Sequence, residues 1–439
     1  MLATAVLALL LAVKDNTLTI APVAWRHRTL ANGLEVYDVE DHASPTLSVQ
    51  VWYRVGSKDD PPGRSGFAHL FEHLMFKSTA HMPAEMLDRL TEDVGGANNA
   101  STGDDVTHYY ENIPSNYLQT LLWAEGERMG SLTVDEANFK SEREVVKEEF
   151  RTSVLGTPYG LFEYDIDRDS FVKHPYHRPT IGSIEDLDAA TVGDVQQFHA
   201  TYYRPDNAVL VVAGDFEPAQ LDAWVDRYLA GIPRPAAPIP RVQVAEPPRD
   251  ETKRITEKGP NVPLPAVAYT WLAPPASSPD MPALRVAAAL LGLGDSSRME
   301  QSLVYRAQIV QDVNVYADAR SGVGLFVVTA TLASGKTPAV VETAIEHELS
   351  KLEETPVAGA ELAKVKNLLV TAELRQRETN QGRASAIGRA ATVVGDVNSV
   401  NTGLQALQGV TAGDVQRVMQ KYVRDGKPVI LTYVSGGAQ

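Results

Sequence analysis

His69-Leu70-Phe71-Glu72-His73 decides how this chain is read. Two histidines four residues apart lie on one face of a helix, one turn from each other. Their imidazoles can grip a single metal ion. Glu72 sits three residues after His69, within reach of a water held at such a metal. The flanking run, Phe67-Ala68 before the motif and Leu74-Met75-Phe76 after it, is apolar. A helix this apolar is buried, and burying two His and a Glu without partners costs several kcal/mol, on the order of a few per group. A metal is the simplest compensation. The alternative is a pair of satisfied core histidines, which would have no need of Glu72.

A catalytic zinc usually takes three protein ligands and keeps one position open. The third should be a carboxylate or histidine from another element. Candidates cluster in Ser141-Glu142-Arg143-Glu144-Val145-Val146-Lys147-Glu148-Glu149-Phe150. Glu142 and Glu149 are seven apart and share a helix face. Glu148 points about 100° away from Glu149 and suits solvent or an ion pair.

H-x-x-E-H followed by a helix of the form E-R-x-x-V-x-x-E resembles the pitrilysin/insulinase zinc metallopeptidases, the inverzincins. The resemblance is to the two-domain bacterial branch that is like mitochondrial processing peptidase. It implies one Zn2+ per chain on His69, His73 and Glu149, with Glu72 as general base and Glu142 orienting a ligand histidine. Gly95-Gly96-Ala97-Asn98-Asn99-Ala100-Ser101-Thr102, then Asp105, Thr107 and Tyr109, is similar to a family stretch that forms an edge strand beside the zinc. Asn99 and Ala100 would there pair with an extended peptide through main-chain hydrogen bonds. His174-Pro175-Tyr176-His177-Arg178-Pro179 also resembles a family segment, and its histidines are expected to be structural.

At 439 residues the chain is too long for one ordinary core. With 44% hydrophobic and 22% charged residues it has globular composition. It has no cysteine, which excludes thiolate-ligated zinc and disulfides. A net charge of −16 argues against a nucleic-acid partner. The apolar run Met1–Val13 is too short to span a bilayer and reads as the core of a secretory signal. It lacks a basic flank and a clear cleavage site. Export to a periplasm-like compartment is expected, with the cytoplasm as the alternative. No other stretch suggests stable membrane insertion.

A faint repeat recurs at an offset of 220 residues: Thr191-Val192-Gly193-Asp194-Val195-Gln196 against Thr411-Ala412-Gly413-Asp414-Val415-Gln416, with Tyr202 against Tyr422 and Arg204 against Arg424. A strand follows each, Val209–Ala213 and Val429–Tyr433. Two similarly folded halves are expected. Leu34–Tyr37 and Leu47–Trp52 read as half-buried strands, the second with clear alternation. Further strands are expected at Ala266–Trp271 and Leu325–Thr329, and helices near 116–129, 135–153, 338–354 and 359–376. The fold class is α+β: two similar domains, each a mainly antiparallel sheet covered on one face by helices. The boundaries expected are a leader at 1–20, a zinc-binding peptidase domain at 21–232, a Pro-rich linker at 233–254 and a metal-free domain at 255–439.

Shifting the metal motif by 220 lands on Ala289-Leu290-Leu291-Gly292-Leu293, which offers no ligand. Gly292-Leu293-Gly294-Asp295-Ser296-Ser297-Arg298 resembles a family turn whose Arg, with a Tyr downstream, holds substrate opposite the zinc. Arg298 fits, but Gln311 stands at the Tyr position, with Tyr305 and Tyr316 out of register. Gly292-x-Gly294 and Ser334-Gly335-Lys336-Thr337 lack the further glycines that nucleotide loops need. The resemblance implies an endopeptidase for extended or unfolded peptides, working in a dimeric clamshell of which this chain is half. A heterodimer with a zinc-less homologue that keeps the Arg and the Tyr is expected. The competing expectation is a non-catalytic or structural subunit of a larger complex.

Overall fold

The computed structural model describes residues 20–436. The leader expected at 1–20 therefore lies almost wholly outside the described residues. The chain forms two sheets, each packed against helices. The first has strands β1 (Arg26–Thr29), β2 (Glu35–Glu40), β3 (Thr46–Tyr53), β4 (Ala97–Thr102), β5 (Thr107–Pro114) and β6 (Ala208–Gly214). The second has β7 (Lys253–Gly259), β8 (Ala266–Ala273), β9 (Val310–Asp318), β10 (Gly324–Leu332) and β11 (Val429–Ser435). Spatial order is β1-β2-β6-β3-β5-β4 in one and β7-β11-β8-β10-β9 in the other. Without β1 the two orders are the same. In each sheet one pair is parallel, β2 with β6 and β7 with β11, and the rest are antiparallel.

The repeat has a local chemical basis. Thr191 and Thr411 each cap a helix with a reciprocal box, to Asp194 and Asp414. The threonine hydroxyl takes the aspartate amide and the aspartate carboxylate takes the threonine amide. β3 and β8 are offset by 220 residues at both ends.

β3 differs from its half-buried reading, since only its first residue is exposed. Val49, Val51 and Tyr53 face the helices of their own half. The opposite face, with Ser48, Gln50 and Trp52, is covered by helix Asn380–Arg389 of the other half. Gln50 donates to the Gln381 carbonyl at 3.1 Å and the Ser385 hydroxyl at 3.0 Å, and accepts from the Trp52 indole at 3.0 Å. The alternation is real, but the polar face meets a partner helix instead of water. The exchange is reciprocal. Helix Gly160–Ser170, 220 residues before Asn380, sets Phe162 and Ile166 against Ala266, Ala268, Leu431 and Tyr433 of the second sheet.

Residues 233–252 carry no helix or strand, as their prolines dictate. The segment is strapped down by side chains. Arg204 donates to the Ala237 carbonyl at 2.8 Å, and Arg241 to the Asn207 side chain at 2.6 Å. Glu246 accepts the amides of Val172, Lys173 and His174 at 2.7, 2.9 and 2.7 Å. Arg249 donates to the Ser170 carbonyl at 2.7 Å.

Candidate metal centre

The histidine helix runs Phe67–Leu74 and buries Phe67, Ala68, Leu70, Phe71 and Leu74. His69, Glu72 and His73 occupy the remaining face. Its N-terminus opens at Gly66 with φ 92°, and a Cβ there would lie 2.8 Å from the Ile181 carbonyl oxygen, so only glycine fits. The first amides are satisfied from a distance: Asp60 accepts from Gly66 at 2.8 Å and from Ala68 at 2.9 Å. Burial pushes the Asp60 carboxyl up to about 8, against the pull of those amides and Arg178.

The second helix, Glu136–Glu149, is capped by Asp135, which accepts the Asn138 amide at 2.8 Å. Phe139, Glu142 and Val146 form its buried face. At Glu149 the α-pattern widens into a π-helical turn, Phe150–Leu155.

The two helices bring His69, His73 and Glu149 together, each offering a ligand atom within 4.8 Å of the others. Among the described residues this is the one such group of three. Glu149 Oε2 lies 3.4 Å from His73 Nε2 and 3.7 Å from His69 Nε2. Ligands on a tetrahedral zinc at 2.0–2.1 Å stand about 3.3 Å apart, so the donor set and its spacing fit that ion. His73 turns its other nitrogen to Glu142 Oε2 at 3.7 Å, and Lys77 holds Glu142 Oε1 at 3.0 Å. That is the outer support a ligand imidazole needs. Nδ1 of His69 is buried without a hydrogen-bond partner.

The two histidines are pushed in opposite directions. Burial, helped by the charge of His73, drives His69 down to about 4 although Glu149 opposes it. His73 moves up to about 9: burial disfavours its charge, but Glu142 and Glu149 together outweigh burial. Glu149 is held below the usual carboxylate range by its hydrogen bond to His73. A metal held by His69, His73 and Glu149 would compete with the proton on His73. Glu72 is raised by burial, while the Thr102 hydroxyl, donating to Oε2 at 2.5 Å, pulls the other way.

β4 carries Asn99, exposed, and Ala100, buried against the histidine helix. It pairs with β5 on one side and is the last strand of its sheet. Glu148 is 69% exposed and pairs with Arg151 at 3.1 Å. Arg298 lies apart from this cluster, in the second half, held by both Glu361 oxygens at 2.8 Å. Gln311 is exposed on β9, the last strand of the other sheet, and Tyr305 and Tyr316 are also exposed. In the His174–Pro179 run, His174 accepts the Tyr176 amide at 3.3 Å and Arg178 donates to the carbonyls of Asp60 and Lys58 at 2.6 and 2.9 Å. Those side chains brace the loop ahead of the histidine helix.

Sequence reasoning passed over Asp60 as an anchor and Thr102 as a partner of Glu72. Asp60 stands six residues before Gly66, outside any local cap spacing. Thr102 was visible only as part of a strand.

Two sheets of one strand order and, among the described residues, one His/His/Glu cluster on helices of the first half define a two-domain α+β chain with a candidate metal centre. Residues 36–182 match the family model described as insulinase (peptidase family M16), and residues 189–369 match that of the peptidase M16 inactive domain. The chain belongs to the M16 insulinase family, with the processing-peptidase-like fold. It is 30% identical over 405 residues to the zinc protease PqqE of Helicobacter pylori, covering 90% of each chain. It superposes on the crystal structure of a protease from Helicobacter pylori with a TM-score of 0.91 and 28% identity, covering 94% of this chain and 100% of that one. It is also 28% identical over 263 residues to human cytochrome b-c1 complex subunit 1, covering 60% of this chain and 54% of that protein. Zinc is thus in the name of one such relative, while another is a subunit of the cytochrome b-c1 complex.

Proposed function

We propose that this chain is a zinc-dependent endopeptidase that cleaves extended or unfolded peptides. The observation that carries the reading is the convergence of His69, His73 and Glu149 within 4.8 Å, with Glu72 on the same helix as the two histidines. Zinc, when bound there, supplies a Lewis acid that polarises a peptide carbonyl and acidifies a water. Glu72 accepts the proton of the attacking water and returns it to the leaving amine. Thr102 holds one carboxylate oxygen through its hydroxyl. Glu142 and Lys77 hold the His73 ring in its working orientation. The free edge of β4, at Asn99 and Ala100, takes the substrate as an added strand. Arg298 would hold the far part of the peptide, in competition with Glu361. The partner is a homologous chain that closes the chamber.

Similarity to a b-c1 subunit favours a second reading, a structural subunit. Glu72 weighs against it, because a structural metal site has no use for a general base. The two readings part on Glu72→Gln. As an endopeptidase, wild type binds about one zinc and cleaves an unfolded peptide, while Glu72→Gln keeps zinc and peptide and turns over about a hundredfold or more slower. Substantial activity in a clean Glu72→Gln preparation would assign the base elsewhere. Wild type that holds zinc and cleaves nothing, with or without a partner chain, favours the structural subunit.

A further inference from the structure

The turn between β4 and β5 is gripped by the second half of the chain. Asp105 Oδ2 accepts the Ser321 amide at 2.7 Å, and Oδ1 accepts the Ser321 hydroxyl at 2.5 Å. Oδ1 also takes Lys58 at 2.6 Å and the Tyr176 hydroxyl at 2.7 Å. Tyr176 in turn accepts the Gly322 amide at 3.0 Å. Next to Asp105, Asp104 faces Arg320 at 3.2 Å. Arg320, 5% exposed, also pairs with Asp167 and Asp318, both at 2.6 Å. Its guanidinium lies over the rings of Phe171 and Tyr176, at 5.1 and 4.9 Å. Arg320, Ser321 and Gly322 all belong to the β9–β10 turn.

This grip sits two residues beyond Thr102, whose hydroxyl holds Glu72. It also reaches the histidine helix by a second route. Ser57 and Lys58 donate their amides to the carbonyls of Gly103 and Asp104 at 3.1 and 3.2 Å. The same loop continues to Asp60, which holds the first amides of that helix. Both elements that place Glu72, the strand and the helix, therefore end in one buried network closed by the second half.

We propose that Arg320 and Ser321 are positioning residues for Glu72, holding β4 in register with the histidine helix through Asp104 and Asp105. The inference rests on the peptidase reading above and gives the half without the metal cluster a task in its own chain's catalysis. A buried Arg among three carboxylates is weak evidence of stabilisation alone, because desolvation offsets much of the attraction. Its geometry is instead suited to fixing one arrangement. A displacement of about 1 Å at a general base can cost up to about a hundredfold in rate.

The test uses the full zinc-loaded chain and the variants Ser321→Ala, Arg320→Lys and Arg320→Gln. Metal content, amide hydrogen exchange over 97–105 and peptide kinetics are read together. All three variants should keep stoichiometric zinc, whose ligands lie on other elements. Exchange over 97–105 should quicken and kcat fall about tenfold or more, with KM little changed. Arg320→Lys, which keeps the charge, should recover part of the loss seen in Arg320→Gln. In a Glu72→Gln background the same variants should cause no further fall. Arg234→Gln, which removes an exposed linker ion pair to Asp206, should leave both exchange and kcat as in wild type. Unchanged exchange over 97–105 in Ser321→Ala and Arg320→Gln overturns the proposal whatever the activity. Faster exchange with undiminished kcat overturns the positioning role. Wild type that cleaves no better than Glu72→Gln, both alone and with a partner chain added, breaks the peptidase reading instead, and exchange still decides whether the grip holds β4.

Discussion

Glu148 and Glu149 are adjacent carboxylates with opposite surroundings. Glu149 faces two imidazoles across 3.4 and 3.7 Å, while Glu148 faces solvent and Arg151. Replacing Glu149 with Gln removes the proposed anionic ligand and leaves His73 with Glu142 as its remaining carboxylate partner. Glu149→Gln should therefore lose zinc, or bind it at least about tenfold more weakly, and lose activity with it. Glu148→Gln should keep both, since an exposed ion pair contributes about 1 kcal/mol at most. Metal analysis after dialysis of the two proteins separates them, and stoichiometric zinc with full activity in Glu149→Gln would overturn the assignment. The distinction came from the resemblance of the E-R-x-x-V-x-x-E helix, with the seven-residue spacing from Glu142 putting both glutamates on one helix face. Thr102 and Asp60 were not legible, because their partners lie 30 residues away and across a loop. No local pattern encodes such pairings.

At the level of elements, the histidine helix depends on a buried acid for its start. The folded-state pKa of Asp60, pushed up to about 8, exceeds the ordinary carboxylate value near 4. A raised group contributes its full stability below the unfolded value and loses it as pH rises through the folded one. Between about pH 4 and 8 wild type should lose stability relative to Asp60→Asn, which cannot ionise. Denaturant unfolding of both proteins across that window checks the sign, and a difference that stays flat would remove Asp60 as the source. The exchanged helix Asn380–Arg389 makes a second case. A Cβ on Gly388 would lie 2.2 Å from the Trp52 ring, which is itself buried. Gly388→Ala should cost about 1–3 kcal/mol by overpacking, seen as a lower melting temperature with zinc content unchanged. Both long helices of the second half, Pro338–Glu354 and Gly359–Gln376, were read from the sequence with the bounds they have. Their periodicity and flanking signals are local. That a helix would cross to cover the opposite sheet was not readable, because each contact joins residues more than 300 positions apart.

For the whole molecule, the question is what closes over the centre. The His69/His73/Glu149 cluster and β4 belong to the first half, while Arg298 sits on the second half and is tied to Glu361. The register that places Arg298 puts Gln311 where a tyrosine would complete a substrate-holding pair, and Tyr305 and Tyr316 stand elsewhere on that half. On the proposed reading, one chain offers a cutting edge and an incomplete wall. The family resemblance implies a clamshell of two such chains, and a homologue that keeps both the Arg and the Tyr would supply the missing wall. The isolated chain should then bind zinc fully yet cleave unfolded peptides poorly. Adding that partner should raise the rate by about tenfold or more, because an oriented substrate reacts faster than a loosely held one. Gln311→Tyr should recover part of the gain in the isolated chain if its own copies pair. Light scattering fixes the assembly and a peptide assay on the same samples fixes the rate. A fully active monomer would remove the clamshell, and a fully active homodimer would remove the need for a different partner.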